Sequence, residues 1–175
     1  MREMWRGFWA GVGLVLCVGM TANAADSKKE GVAAKPGEVQ SAQADGSILL
    51  FCNSAEPHGA MIRYEPQTNK MTIGYWVKKE DWVSWNFKVP KAGKYKVEIL
   101  QGCGPKSGGS EVEFKCDDQT LSMTVQETKG FQDFLKREIG SFDFKAVGEK
   151  TLEVRAKSKP GMAVMDLRQV RLIPE

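Results

Sequence analysis

Apolar and polar residues alternate with a period of two from residue 47 to the end of the chain. Such alternation is typical of β-strands that bury one face and expose the other. In the segment WVSWNFKV, residues 82–89, Trp85 shares one face with three other apolar residues, so we predict that it lies in the core. Trp82 has the opposite parity and is predicted to point away from the core. Trp76, which closes the preceding strand, is predicted to cap the edge of the core.

About ten short strands follow from this pattern, and turns rich in glycine and proline separate them. The turns include PKAG, residues 90–93, and the glycine-rich loop GCGPKSGG, residues 102–109. Only residues 131–137 could hold a helical turn. The apolar parity changes within the last strand, which predicts a β-bulge near Arg168. Because each strand has one polar and one apolar face, we predict an all-β fold, a two-sheet antiparallel β-sandwich of the jelly-roll type.

Residues 1–24 have the pattern of a secretory signal peptide. Arg2 and Arg6 precede an uncharged apolar run, residues 8–20, and Ala-Asn-Ala at residues 22–24 fits a cleavage site. The run is shorter than the roughly 20 residues of a membrane-spanning helix. We therefore predict export to the periplasm or the extracellular space of a bacterium, with no membrane attachment after cleavage.

The next segment, residues 25–46, contains only two large apolar residues. Burial of so little apolar surface does not offset the entropy lost when a chain becomes ordered, so we predict a disordered leader. Residues 47–175 remain, and their number suits a single domain with one core.

Charge and candidate catalytic groups exclude several functions. The chain has 25 basic and 22 acidic residues, interspersed, for a net charge of +3, so nothing in it points to nucleic acid. The single histidine, His58, lies in EPHG, which is typical of a turn. The acid pairs at residues 80–81 and 117–118 are sequence neighbours, whose side chains point to opposite faces of a strand. We find no nucleophile with a base and no paired catalytic carboxylates, and predict that the protein is not an enzyme.

Three cysteines follow the predicted cleavage site, Cys52, Cys103 and Cys116, and their spacing gives no zinc pattern. A hairpin that turns at residues 106–109 would separate Cys103 from Cys116 by four strand residues, about 13 Å at ~3.3 Å per residue. A disulfide requires about 4.4–6.8 Å between its Cα atoms, so we predict that these two are not bonded to each other. If any pair forms, we expect it to be Cys52 with Cys103.

Four segments, in order, resemble motifs of family 6 carbohydrate-binding modules. EDWVSWNFKVPKAGKYKV, residues 80–97, resembles the family's early strands, which read G-D-W/Y and then a turn ending A-G-x-Y. TKGFQDF, residues 128–134, is similar to T-G-G-W-Q-x-W, and GEKTLEV, residues 148–154, to G-x-H-x-L-x-L. MAVMDLRQVRL, residues 162–172, is similar to the family's final strand. The pattern IGYW…EDW…QGCG…GGSEV…FQDF…AVMDLRQVRL, within residues 73–172, is also similar to a galactose-binding-like module appended to some secreted bacterial sulfatases and other polysaccharide-directed hydrolases.

The resemblance implies a non-catalytic domain that binds a glycan or polysaccharide, with a secreted hydrolase as a candidate partner. In that family two aromatic side chains enclose a sugar ring, and the corresponding residues are Trp82 and Phe131. The asparagine that binds sugar hydroxyls corresponds to Val164, which leaves a buried hydroxyl unpaired at a cost of ~1–3 kcal/mol. The aromatic pair favours carbohydrate binding, whereas Val164 favours the alternative, a secreted structural or protein-interaction module without sugar affinity.

The resemblance also raises structural calcium, because calcium often braces family 6 modules. The candidate ligands are Asp45, Glu56 and Asp166, and their spacing matches no calcium-binding loop. We therefore predict no cofactor, with structural calcium as the alternative.

Overall fold

The computed structural model describes residues 34–175, and its regular structure is almost entirely β-strand. The signal peptide predicted for residues 1–24 and the leader residues 25–33 lie outside the described part. Within that part, eleven strands confirm the predicted all-β fold. They are β1 (Ile48–Phe51), β2 (Glu56–His58), β3 (Arg63–Glu65), β4 (Thr72–Gly74), β5 (Trp82–Val89), β6 (Gly93–Gly102), β7 (Glu111–Cys116), β8 (Gln119–Thr124), β9 (Leu135–Phe144), β10 (Gly148–Ala156) and β11 (Asp166–Pro174). One turn of 3₁₀ helix spans Cys52–Ser54.

The strands form two sheets. One has the order β3-β4-β11-β6-β9, with β1 also paired to β11, and the other has the order β2-β5-β10-β7-β8. All pairs between these strands are antiparallel, which confirms the predicted two-sheet sandwich. The pairing of β11 with β6 shifts register between Leu167 and Gln169, so the bulge predicted near Arg168 is confirmed.

The three described tryptophans take the predicted orientations. Trp85 and Trp76 are completely buried. Their indole N–H groups donate to the carbonyl oxygens of Phe51 (3.0 Å) and Asp81 (2.8 Å), so neither burial leaves a donor unpaired. Trp82 is half-buried and lies on the outer face of its sheet. Strand parity was therefore sufficient to separate the core residues from the outward one.

Five loops lie at one end of the sandwich, which we call the loop end. Trp82 at the start of β5 pairs with Arg155 near the end of β10, and Gly102 at the end of β6 pairs with Asp166 at the start of β11. The loops that connect strands of one sheet to strands of the other keep these strand ends together. The loops are β2–β3 (59–62), β4–β5 (75–81), β6–β7 (103–110), β8–β9 (125–134) and β10–β11 (157–165).

Residues 34–46 are attached to the sandwich, which corrects the predicted disordered leader over this part of the chain. Gln40 N–H donates to Asn86 O (2.8 Å), and Gln40 O accepts from Lys88 N–H (2.9 Å), so the segment runs beside β5. Arg171 Nη2 of β11 donates a hydrogen bond to Asp45 Oδ2 (2.6 Å). The segment is ordered by backbone hydrogen bonds and one ion pair, which its lack of large apolar residues does not reveal.

All three described cysteines are buried and free. Cys103 and Cys116 are not bonded to each other, and since none of the three is paired, the Cys52–Cys103 pair that was expected only if a disulfide formed does not arise. The hairpin from which the Cys103–Cys116 separation was argued is absent, because β6 and β7 lie in different sheets and β7 pairs with β8 and β10. Burial raises the pKa of the Cys52 and Cys116 thiols to about 12 and that of Cys103 to about 11, so all three stay protonated at neutral pH.

Two local predictions are corrected. EPHG does not form a turn at the histidine, because Glu56–His58 is a strand that pairs with β5. Residues 131–137 form no helical turn, since Asp133 N–H donates to Gly130 O (3.1 Å) in one reverse turn and β9 begins at Leu135. No helix among the described residues has the length and apolar content needed to cross a membrane.

Candidate functional site

The loops at the loop end contact one another and form a continuous surface. Val164 N–H of the β10–β11 loop donates to Trp76 O of the β4–β5 loop (2.8 Å). Gly161 packs directly on the β6–β7 loop, since a Cβ added there would lie 2.5 Å from Ser107 Cα. The β8–β9 loop joins the same surface through Phe131.

Phe131 is seated on two glycines. A Cβ at Gly102 would lie 2.0 Å from Phe131 O, and a Cβ at Gly104 would lie 2.6 Å from Cε2 of the ring. Thr128 Oγ1 accepts from Cys103 N–H (3.0 Å) and donates to Gly130 O (2.7 Å), which fixes the loop that carries the ring. The half-buried ring therefore lies directly over the backbone of the β6–β7 loop. A larger residue at either glycine would overlap Phe131 and displace it.

Trp82 lies between two side chains from neighbouring strands. His58 of β2 and Arg155 of β10 are its cross-strand partners on opposite sides of β5. The His58 ring stacks on the indole with 3.7 Å between centroids and 11° between planes. The Arg155 guanidinium carbon lies 3.6 Å from the indole centroid. Because the two partners come from opposite sides, both faces of the indole are covered.

Polar contacts hold the two neighbours of Trp82 in place. His58 Nε2 is 2.9 Å from Ser84 Oγ, and Arg155 Nε donates to Glu153 Oε2 at 2.9 Å. Sequence reasoning missed both neighbours because their contact with Trp82 depends on strand pairing. The outward parity of Arg155 in TLEVRA was the available signal, but it does not indicate which residue lies opposite.

The predicted site residues Trp82 and Phe131 both lie at the loop end. No ring contact joins them among residues 34–175. Val164, which replaces the family's asparagine, is completely buried and uses its N–H in the bond to the β4–β5 loop. The position therefore offers no side-chain polar group to a ligand.

Tyr75 is a further aromatic residue at the loop end. It is 42% exposed, and its φ of +52° lies in the left-handed region that non-glycine residues rarely adopt. The guanidinium carbon of Arg63 lies 3.4 Å from its ring centroid, and Lys70 Nζ lies 5.8 Å from it. Sequence reasoning missed Tyr75, because the alternation of apolar and polar residues does not report a change in backbone conformation.

Two carboxylates are buried next to Tyr75. Glu65 and Asp166 are 7% and 5% exposed, and a Cβ at Gly74 would lie 2.5 Å from Glu65 Oε2 and 3.2 Å from Asp166 Oδ1. Lys70 Nζ pairs with Glu65 Oε1 at 2.6 Å, and Gln132 Nε2 donates to Asp166 Oδ2 at 3.3 Å. Burial, reinforced by the Glu65 charge, raises the pKa of Asp166 to about 7.

The candidate calcium ligands do not converge. Asp45 lies before β1 and pairs with Arg171 near the end of β11, whereas Asp166 begins the same strand. Glu56 is in the other sheet, on β2. Residues 34–175 contain no group of three or more His, Cys, Asp or Glu side chains arranged to hold a metal ion.

One protein family has a model that matches this chain, over residues 63–173, which is more than half of its length. The family is described as Domain of unknown function (DUF5077). No functionally curated protein matches the chain.

Solved structures of carbohydrate-binding modules share the fold. A family 35 carbohydrate binding module from Clostridium thermocellum is 13% identical, with a TM-score of 0.59, and the match covers 74% of this chain and 98% of that one. The module CBM6cm-2 from Cellvibrio mixtus lichenase 5A, solved with cellotriose, is 16% identical, with a TM-score of 0.55 and coverage of 73% and 96%. At this level of sequence identity, the structural similarity establishes that this chain shares the jelly-roll fold of such modules.

The same fold also occurs as one part of a larger protein. The Podospora anserina GH26-CBM35 β-(1,4)-mannanase is 10% identical, with a TM-score of 0.53. The match covers 75% of this chain but only 28% of the mannanase chain. This chain therefore corresponds to about one module of that protein.

Proposed function

We propose that this chain, which belongs to the DUF5077 family, is a non-catalytic module that binds carbohydrate at its loop end. The observation that carries the proposal is the seating of Phe131 over Gly104 on a continuous loop surface. An aromatic ring held in this way packs well against the flat C–H face of a sugar ring. The shared fold of carbohydrate-binding modules supports the same function.

The two predicted aromatic walls have different parts in this proposal. Trp82 would accept a sugar only if His58 or Arg155 left its ring, because both faces are covered. Phe131 is therefore the main stacking surface. The stacked side chains of His58, Trp82 and Arg155 support the edge of the loop end.

Gln132, beside Phe131, would supply the polar contact that Val164 cannot. Its amide N–H donates to Asp166, which turns its carbonyl oxygen away from the buried carboxylate. That oxygen is free to accept from a sugar hydroxyl. The side chain is on an exposed residue, so a ligand can reach it.

Export and partnership complete the proposal. Residues 1–24 have the pattern of a signal peptide, which would place the module among periplasmic or extracellular polysaccharides. We propose that it acts with a secreted polysaccharide-directed hydrolase, and the sequence similarity to sulfatase-appended modules makes a sulfatase one candidate. The mannanase from Podospora anserina illustrates a module of this fold in an enzyme chain.

Affinity electrophoresis against a panel of neutral and acidic polysaccharides tests the proposed function. We expect at least one polysaccharide to retard the protein, and Phe131→Ala to remove that retardation. Val147→Ala is the matched control, since Val147 is a 62% exposed apolar residue in the β9–β10 turn at the opposite end. Circular dichroism of each variant establishes that the fold is retained. A Phe131→Ala protein that is retarded like the wild type contradicts the proposal.

A protein-interaction module is the second candidate function. Met61, Val77 and Met162, on three loops of the loop end, are 38%, 37% and 74% exposed. Single exposed apolar side chains are ordinary, but if these three form one contiguous patch it would be typical of surfaces that bind proteins. If no polysaccharide retards the protein, this candidate replaces the first.

A further inference from the structure

Tyr75 is presented to solvent by a strained backbone. Its φ of +52° costs a non-glycine residue stability, and such conformations cluster at ligand-binding positions. The residue is 42% exposed, and Arg63 lies against its ring. The conformation thus holds an aromatic surface where a ligand can reach it.

Arg63 lies on Tyr75 without a carboxylate partner. Its guanidinium carbon is 3.4 Å from the ring centroid, and Arg63 itself is exposed on β3, an edge strand. Ten ion pairs occur among residues 34–175, and Arg63 belongs to none of them. The nearby Glu65 is instead paired with Lys70 at 2.6 Å. Stacking on Tyr75 therefore orients the guanidinium and leaves its N–H groups available.

A second cation is fixed beside the same ring. Lys70 Nζ lies 5.8 Å from the Tyr75 centroid and is held by Glu65, which is almost fully buried. The neighbouring Asp166 connects this cluster to the β8–β9 loop through Gln132, next to Phe131. Tyr75 and Phe131 therefore lie on different loops of the same end of the sandwich, with the two cations beside Tyr75.

We infer that Arg63, stacked on Tyr75, forms an anion-binding part of the glycan surface, bordered by the Lys70–Glu65 pair, so that the module prefers acidic glycans that carry carboxylate or sulfate groups. The inference rests on the proposed function and specifies the class of its ligand. A guanidinium presents a planar fork of N–H donors that fits the oxygens of a carboxylate or a sulfate. The open part of the Tyr75 ring is available to the sugar that carries the acid group.

Isothermal titration with paired oligosaccharides tests this preference. Trigalacturonate and its methyl ester differ in the carboxylate charge, and a carrageenan oligosaccharide and its desulfated form differ in the sulfate. We expect at least one charged member to bind the wild-type protein about tenfold more tightly than its neutral partner. The pair that shows the difference identifies the acid group.

Single substitutions show which residues produce the preference for the charged oligosaccharide. Arg63→Gln is expected to reduce the tenfold difference to about twofold or less, and Tyr75→Ala to weaken both members of the pair while Tyr75→Phe binds like the wild type. Lys115→Gln, which removes an exposed lysine of β7 that forms no described ion pair, is the control and should leave the preference intact.

The outcomes separate the two proposals. Equal binding of charged and neutral members, or an Arg63→Gln protein that retains the full preference, overturns the inference. If Phe131→Ala still abolishes binding of the neutral member in that case, the proposed function stands. If none of the four oligosaccharides binds the wild-type protein, the inference is overturned, and the polysaccharide panel with Phe131→Ala decides the proposed function separately.

Discussion

Trp82 illustrates what a single residue can and cannot reveal about its role. Its parity predicts that it points outward, and it does. Whether its ring is free to bind a ligand depends on His58 and Arg155, which stack on its two faces. These residues come from two other strands, so their contact with Trp82 is fixed by strand register rather than by the local sequence.

Replacement of Trp82 and Trp85 by alanine should separate these roles. Trp82→Ala removes two stacking contacts at a half-buried position and should lower the free energy of unfolding by about 1–2 kcal/mol. Trp85→Ala truncates a completely buried side chain and should cost ~3–5 kcal/mol. Urea denaturation measures both changes. A larger loss of unfolding free energy for Trp82→Ala would show that the stacking of His58 and Arg155 on Trp82, rather than the core, is the main source of stability in this strand.

Asp166 should make stability depend on pH. Its pKa is raised to about 7 in the folded protein, whereas the unfolded carboxyl ionises near its ordinary value of 3.8. Its contribution to stability is therefore fully present below about pH 4 and is lost as the pH rises to about 7. Asp166→Asn removes this contribution, so the wild-type protein should lose stability relative to this variant over that range.

Urea denaturation at a series of pH values tests this difference. Asp45→Asn is the control, because hydrogen bonds from Ser47 lower the pKa of Asp45, so this carboxyl titrates below the range in which Asp166 does. The difference in unfolding free energy between the wild type and Asp45→Asn should stay constant from about pH 5 to 7. A flat difference for Asp166→Asn as well would contradict the raised pKa of Asp166.

At the scale of elements, alternation predicted the strands more reliably than their partners. The turn at residues 90–93 and the bulge near Arg168 follow from local residues, and the structure has both. The hairpin expected between β6 and β7 does not form, because the loop between them crosses from one sheet to the other. Residues 34–46 were assigned to a disordered leader because backbone hydrogen bonds leave no mark on apolar composition.

The attached leader segment should contribute measurable stability. A chain that begins at residue 47 lacks the Gln40 hydrogen bonds to β5 and the Asp45–Arg171 ion pair. Relative to a chain that begins at residue 34, we expect its free energy of unfolding to fall by about 1–3 kcal/mol. Chemical denaturation of the two chains provides the comparison. Equal midpoints would show that the segment is attached without stabilising the sandwich.

The glycine under Phe131 provides a test at the level of the loops. A Cβ at Gly104 would lie 2.6 Å from the Phe131 ring, so Gly104→Ala must displace the ring, and glycan binding should weaken about tenfold. Gly130 in the β8–β9 loop has no atom within 4 Å of its added Cβ, and Gly130→Ala is the matched control. Isothermal titration of both variants, with thermal denaturation alongside, gives the result. Equal binding by the two variants would show that the position of the ring does not matter to the ligand.

For the whole molecule, the sequence was sufficient to predict the jelly-roll sandwich but only part of the site. The fold follows from alternation and turns, which are local. Trp82 and Phe131, the site residues that the resemblance implies, both lie at the loop end, but no ring contact joins them among residues 34–175. The cluster of Tyr75, Arg63 and Lys70 was not predicted, because it depends on a left-handed backbone and on pairing between strands.

The central claim is that the loop end of this sandwich binds carbohydrate. An amide NMR titration of the labelled protein with a retarded oligosaccharide tests it most directly, because the titration reports both binding and its location. We expect shifts concentrated at the loop end, at Tyr75, Gly104 and Phe131, and none in the β9–β10 turn around Val147. Shifts confined to that turn or to the outer sheet faces, or an unchanged spectrum, would contradict the claim.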